Sequence, residues 1–359
     1  MSAERPETPP LSDLPTAFDP YTCVRRGLCP VTQLRPQGPE ILESHSLYYE
    51  QHGKGTKHKV VFIMGLNSSS FAWEPQVQYF GRDGFDAPAG KGPWIVGKDK
   101  SGLGATVLVF DNRGVGNSGY PKGPYTTSGM AEDLIVLLDY LGWKGKRELD
   151  IVGISLGGMI AQEVAYRIPE RIASLVLTVT TPGGHVWNNF PPWSGVKSLA
   201  RLTFIADPVK KVPLVMDMLY PRKWLEEKDE DDPQGRINRA TQTESWLRRV
   251  AITKPQQFFG GISQMAAGLT HRVTPDRLRK ISSSIPKVTI VTGDDDNLVD
   301  PSKSRRLKAS MPEAELLVWE VTGHGINHQR YRKFNELLER TWEEGRKRIE
   351  EEPDKWGVN

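Results

Sequence analysis

Short unbroken apolar runs alternate along the chain with longer segments in which apolar residues recur at helical spacing. The runs are "KVVFIMG" (Lys59–Gly65), "ATVLVFD" (Ala105–Asp111), "LDIVGI" (Leu149–Ile154), "IASLVLTVT" (Ile172–Thr180), "KVTIVTG" (Lys287–Gly293) and "AELLVWEV" (Ala314–Val321). Compact apolar runs bounded by turn residues read as strands buried on both faces. Between them, "TTSGMAEDLIVLLDYLGW" sets Met130, Leu134, Leu137, Leu138 and Leu141 on one helical stripe. "LGGMIAQEVAYRI" predicts a helix that stops near Pro169, and "SSFAWEPQVQYF" one that opens after a capping serine. A helix around "SKSRRLKASM" and a long terminal helix from about Arg330 complete the series, while "ILESHSLYYEQHG" reads as two short strands and a turn. The alternation predicts an α/β fold: a mostly parallel central sheet with helices on both faces.

The rhythm is interrupted in three places. Residues 1–38 are rich in proline and polar groups and read as an N-terminal extended arm; residues 81–104, crowded with Gly, Pro and charge, read as a surface excursion. Residues 182–285 lack strand-like runs but hold helix-like segments such as "VPLVMDMLY" and "ESWLRRVAI". They read as a helical cap inserted into a core made of residues 39–181 and 286–359. Within the cap, Trp187, Phe190, Trp193, Phe258 and Phe259 flank turns without a helical stripe of their own, which makes them candidates for the side facing a substrate pocket.

Composition narrows the function classes. In 359 residues, 38% hydrophobic and 25% charged content is ordinary for a globular protein. A net charge of +3 without a dense basic cluster does not suggest nucleic-acid binding. No apolar run is long enough to span a bilayer, and the N-terminus has no apolar signal core, so a cytoplasmic location is expected. Cys23 and Cys29 are too few for a disulfide framework or, by themselves, a structural zinc site. No histidine spacing suggests a metal, and no cofactor is expected.

Chemistry concentrates at "GISLG", where Ser155 sits in a Gly-x-Ser-x-Gly pattern between a predicted strand and a predicted helix. Such a turn pushes the hydroxyl outward at the sheet edge, beside the free N–H groups of a helix start. A serine needs a base, and the base an orienting acid. Both follow at later strand ends: Asp294, Asp295 and Asp296 after "VTIVTG", and His324 in "VTGHG". From the residues alone, any of these three aspartates, or Asp300, fits the acid's position.

Together "MGLNSSSFAW", "FDNRGVGNSGYP", "GISLGGMIAQEVAYRIPERIASLVL", "TGDDDNLVDP" and "VTGHG" resemble the α/β-hydrolase superfamily, in its serine-nucleophile branch of esterases and haloperoxidase-like proteins; some segments also look like uncharacterised fungal members. The resemblance implies the α/β-hydrolase fold, with Ser155 as nucleophile, His324 as base and Asp296 as acid. It implies an oxyanion hole from the N–H groups of Leu66 and Leu156. Met64 stands where a histidine is common, which bears on the loop's geometry; Asp111 and Arg113 are read as structural, and His328 as close enough to line the site. The implied reaction is cofactor-free hydrolysis of a small ester or lactone with an apolar acyl or aromatic part. Carbon–carbon bond hydrolysis, acyl transfer and slow-turnover ligand sensing use the same side chains.

Overall fold

The apolar runs pair into one sheet. A computed structural model of the chain describes residues 14–34, 45–85 and 101–358. Its strands are β1 (Cys23–Cys29), β2 (Leu47–His52), β3 (His58–Ile63), β4 (Ala105–Phe110), β5 (Leu149–Ile154), β6 (Ile172–Thr178), β7 (Lys287–Gly293) and β8 (Glu315–Trp319), in the order β1-β2-β4-β3-β5-β6-β7-β8. β2 runs antiparallel to both its neighbours; from β4 to β8 every pairing is parallel.

The helices are α1 (Val31–Leu34), α2 (Glu74–Phe80), α3 (Thr127–Tyr140), α4 (Leu156–Arg167), α5 (Trp193–Phe204), α6 (Pro208–Leu219), α7 (Arg222–Glu226), α8 (Asn238–Ile252), α9 (Phe258–Thr270), α10 (Pro275–Ser284), α11 (Pro301–Ser310), α12 (Ile326–Gln329), α13 (Tyr331–Glu351) and α14 (Pro353–Trp356). Strand side chains alternate between faces. Val61, Ile63, Leu108 and Ile151 pack with residues of α3, α4, α10 and α11. Val60, Phe62, Val107 and Val152 pack on the other face with Trp73, Phe334 and Trp342, which come from the α2 approach and from α13. Between β6 and α10 the chain leaves the sheet as α5–α9, with a small core of its own at Val215, Met216, Tyr220, Trp224 and Leu225.

Two sequence expectations are corrected. Part of the 1–38 segment is the edge strand β1, whose exposed Val24 and Arg25 break the alternation and disguise it; residues 1–13 and 35–44 lie outside the described residues. Of the two strands expected in "ILESHSLYYEQHG", β2 is described; residues 41–44 lie outside the described residues. The end of the 182–285 segment belongs to the sheet: Leu278 and Ile281 of α10 are fully enclosed in the core on the α4 side. Most of the 81–104 excursion, residues 86–100, lies outside the described residues.

At the N-terminal ends of the parallel strands a polar cluster is sealed under α13. The Asp150 carboxylate accepts from His58 Nδ1 at 2.8 Å, Ser174 Oγ at 2.7 Å and Arg346 at 3.0 Å. Asp150 and His58 are fully buried. Removing one member of such a cluster leaves a buried charge uncompensated. Asp150→Ala should therefore lose about 3–5 kcal/mol of stability, read from urea denaturation midpoints; a loss below about 1 kcal/mol would contradict it.

Candidate active site

The β5–α4 turn packs closely against the sheet. A Cβ on Gly157 would lie 2.1 Å from the Ile63 carbonyl oxygen, and one on Gly153 would lie 2.4 Å from the Gly157 carbonyl oxygen. Only glycine lets α4 start this close to β3. Between them Ser155 takes φ 55° and ψ −121°, a left-handed conformation costly for a residue with a Cβ. The turn is held on both sides. Ser155 N–H donates to Thr178 O at 2.9 Å, and Ser155 O accepts from Gly158 N–H at 2.9 Å and the Thr180 hydroxyl at 2.7 Å.

Two strands along the same edge, Asp296 follows β7 and His324 follows β8. Their side chains meet: His324 Nδ1 lies 2.8 Å from Asp296 Oδ2 and 3.0 Å from Oδ1. A carboxylate only accepts, so Nδ1 carries the proton and Nε2 presents its lone pair. Asp296 Oδ1 also accepts from the Leu298 and Val299 N–H groups at 2.8 and 2.9 Å. The other aspartates are engaged elsewhere. Asp294 accepts from Thr322 N–H, and Asp300 caps α11 through Ser302 N–H at 2.8 Å. Asp295 is exposed, and partial burial, then Asp294 and Asp296, push its carboxyl above the usual range. Among the described residues no hydrogen bond joins the Ser155 hydroxyl to His324; such bonds commonly tighten only when substrate binds.

The loop after β3 passes beside the serine. A Cβ on Gly65 would lie 3.1 Å from Ser155 Cβ. The N–H groups of Leu66 and Leu156 take no partner among the described residues. Four contacts tie this loop and the neighbouring loop after β4 to each other and to the insertion. Asn112 Nδ2 donates to Met64 O at 3.0 Å, and Asn67 N–H donates to Gln264 Oε1 at 2.8 Å. Gln264 Nε2 donates to Arg113 O at 2.7 Å, and Gln256 Nε2 to Gly114 O at 2.8 Å. Gln256 and Gln264 belong to the inserted segment, far along the chain from the loop they hold, and no motif marks them; sequence reading missed both. Arg113 is locked to Asp133 by two bonds of 2.6 Å.

His328 and His271 make packing contacts away from the serine. His328 donates from Nε2 to Ala72 O at 2.8 Å, and burial, then Arg249, hold its pKa well below the usual range. His271 pairs with the Thr127 hydroxyl, and burial, then Arg277, lower its pKa to about 3, so it stays neutral. Trp187, Phe190, Trp193, Phe258 and Phe259, expected on the side facing a substrate pocket, are all exposed, by 50% (Phe190) to 78% (Phe259). Trp187 stacks on His185 at 4.8 Å and Phe258 meets Phe259 edge-on at 5.7 Å, contacts made within the insertion.

The profile of the family described as "alpha/beta hydrolase fold" matches residues 60–331. The chain belongs to this family. It is an enzyme of the hydrolase type. The hydrolase is 26% identical over 307 residues to the "Putative carbamate hydrolase RutD" of Agrobacterium fabrum, covering 81% of this chain and 96% of that protein. It superposes on a thermophilic esterase from Thermogutta terrifontis with a TM-score of 0.61, at 19% identity, over 89% of this chain and 99% of that one. On the enol-lactonase from Burkholderia xenovorans the TM-score is 0.58 at 20% identity, over 82% and 95%. In the described residues of the hydrolase, no helix is long and apolar enough to cross a membrane.

Asp111 joins the two loops that flank the serine. Its carboxylate accepts from Ser70 N–H at 2.7 Å, the Ser70 hydroxyl at 2.8 Å and Asn117 N–H at 2.8 Å. Burial nevertheless raises its pKa from 3.8 to about 6. With the folded value above the unfolded one, the stability Asp111 contributes is full below about pH 4 and lost as pH rises through about 6. A shift of roughly two units corresponds to about 3 kcal/mol. Relative to Asp111→Asn, the unmodified enzyme should lose about that much stability between about pH 4 and 7.5 in urea titrations. A pH-independent difference between the two would contradict the assignment.

Proposed function

We propose that the enzyme is a serine hydrolase of esters or lactones with an apolar acyl or aromatic part, using Ser155, His324 and Asp296. The observation that carries this reading is the Asp296–His324 pair, set on the same sheet edge as a serine held at φ 55°. Asp296 fixes the tautomer that leaves His324 Nε2 basic. His324 takes the Ser155 proton as Oγ attacks the carbonyl carbon. The tetrahedral oxyanion is received by the N–H groups of Leu66 and Leu156, the second backed by the start of α4. His324 then protonates the leaving alcohol, and water, deprotonated by His324, releases the acid and restores Ser155.

An apolar acyl group suits the surroundings. Both oxyanion donors are leucines, Met64 and Met159 flank them, and α9 passes over Leu156 at Gly268. The names of two structural neighbours, an esterase and an enol-lactonase, agree with this substrate class.

A fluorophosphonate probe should label the unmodified enzyme and not Ser155→Ala, with both proteins keeping the same melting temperature. Labelling that survives the substitution would refute the nucleophile. On aryl esters of increasing acyl length, Asp296→Asn should lower kcat by about ten-thousand-fold. Asp300→Asn should stay near full activity; the reverse ranking would refute Asp296 as the acid.

A further inference from the structure

The edge of the sheet farthest from Ser155 holds a second cluster of chemically competent side chains. Alternation along β2 sends Tyr48, Glu50 and His52 to one face, and His52 stands opposite Cys23 in the β1–β2 ladder. One ligand atom from each of Cys23, Glu50 and His52 lies within 4.8 Å of the other two. Glu50 and His52 are 1% and 0% exposed, yet Glu50 Oε2 and His52 Nε2 have no hydrogen-bond partner. The two atoms lie 3.4 Å apart without the alignment of a hydrogen bond. Their other polar atoms are satisfied. Glu50 Oε1 accepts from the hydroxyls of Thr16 and Tyr48, both at 2.8 Å. His52 Nδ1 lies 2.8 Å from Thr22 Oγ1, whose own proton goes to Asp19 O. Nδ1 is therefore the donor, and Nε2 turns a lone pair toward a carboxylate oxygen.

Two acceptors facing each other in a buried site call for a cation between them. We infer that Cys23, Glu50 and His52 bind a zinc ion. Bonds of about 2.0–2.3 Å to tetrahedral zinc separate neighbouring ligand atoms by roughly 3.4–3.8 Å, which the Glu50–His52 spacing meets. A thiolate, an imidazole and a carboxylate are ligand types zinc accepts, and half-buried Cys23 leaves room for water as a fourth ligand. Thiolate and carboxylate together neutralise the ion. Thr22, Thr16 and Tyr48 hold the ligands from behind, as outer partners do in metal sites. Cys23 keeps its proton without a metal, since burial, then Glu50, push its pKa to about 11; zinc binding would expel that proton to solvent as the Zn–S bond forms. Arg26, opposite Glu50 in the ladder, is half-buried, and its charge partly offsets the rise at Cys23.

This site lies toward the start of β4, with His52 opposite Val107, whereas Ser155 lies past the C-terminal end of β5. Its ion would clamp the segment around Thr16–Cys23 to the sheet and take no part in hydrolysis.

The test uses the full-length enzyme after chelation and dialysis. Cobalt(II), as a zinc surrogate, should bind one equivalent with a thiolate-to-cobalt charge-transfer band. Zinc should raise the melting temperature by several degrees. Cys23→Ser and His52→Gln should lose both effects, whereas Cys29→Ser and Ser155→Ala should keep both. Tyr48→Phe should weaken zinc binding about 10- to 100-fold. If His52→Gln does not fold, Cys23→Ser decides. No charge-transfer band in the unmodified enzyme would identify a protonated His52 paired with Glu50 and overturn the site. A band or an equal zinc stabilisation surviving in Cys23→Ser would place the metal elsewhere and overturn it too.

Discussion

The rest of the site depends on how closely the first turn of α4 presses against β3 and β5. With the Ile63 carbonyl oxygen 2.1 Å from where a Gly157 Cβ would stand, any side chain there would drive the helix off the sheet. The same closeness puts the loop after β3 against Ser155. The strain at Ser155 is tolerated because Thr178, Thr180 and the start of α4 bond the turn from several sides.

A second layer of polar contacts converts that closeness into fixed geometry. Met64 stands where a supporting histidine is common, yet the loop is not left loose. Asn112 holds the Met64 carbonyl, Gln264 holds the Asn67 N–H, and Asp111 holds Ser70 a little further along. Two of these groups come from the loop after β4 and one from the inserted helices. The geometry of the loop after β3 is thus a joint property of sheet and insertion.

What could be read in the sequence follows burial. β3 to β8 are near-continuous apolar runs, so their pattern alone marks them. β2 is buried on both faces yet carries Glu50, Gln51 and His52, and β1 exposes Val24 and Arg25; polarity hides the first and edge position the second. Ser155 and His324 stand out because glycines bracket them at strand ends. Asp296 does not separate from Asp294 and Asp295 by pattern; it separates by what each touches in space. The insertion's far boundary was not legible: α10, contiguous with it in sequence, carries a stripe of Leu278 and Ile281 into the main core. Glu50 and His52 alternate on one strand, but the ladder that brings Cys23 opposite His52 is a tertiary fact.

The cluster beneath α13 bears on the order in which the protein can be made. Asp150 and Arg346 are 196 residues apart, and the same helix supplies Phe334, Leu338 and Trp342 to one face of the sheet. During synthesis β3 to β6 leave the ribosome long before α13 exists. Until then one face of the nascent sheet is bare hydrocarbon, and Asp150 lacks its guanidinium. Closing so long a loop is entropically slow. The unfinished chain must therefore be shielded from its neighbours until α13 emerges. A truncation that removed α13 would expose that surface permanently, making this helix a determinant of solubility in the cell.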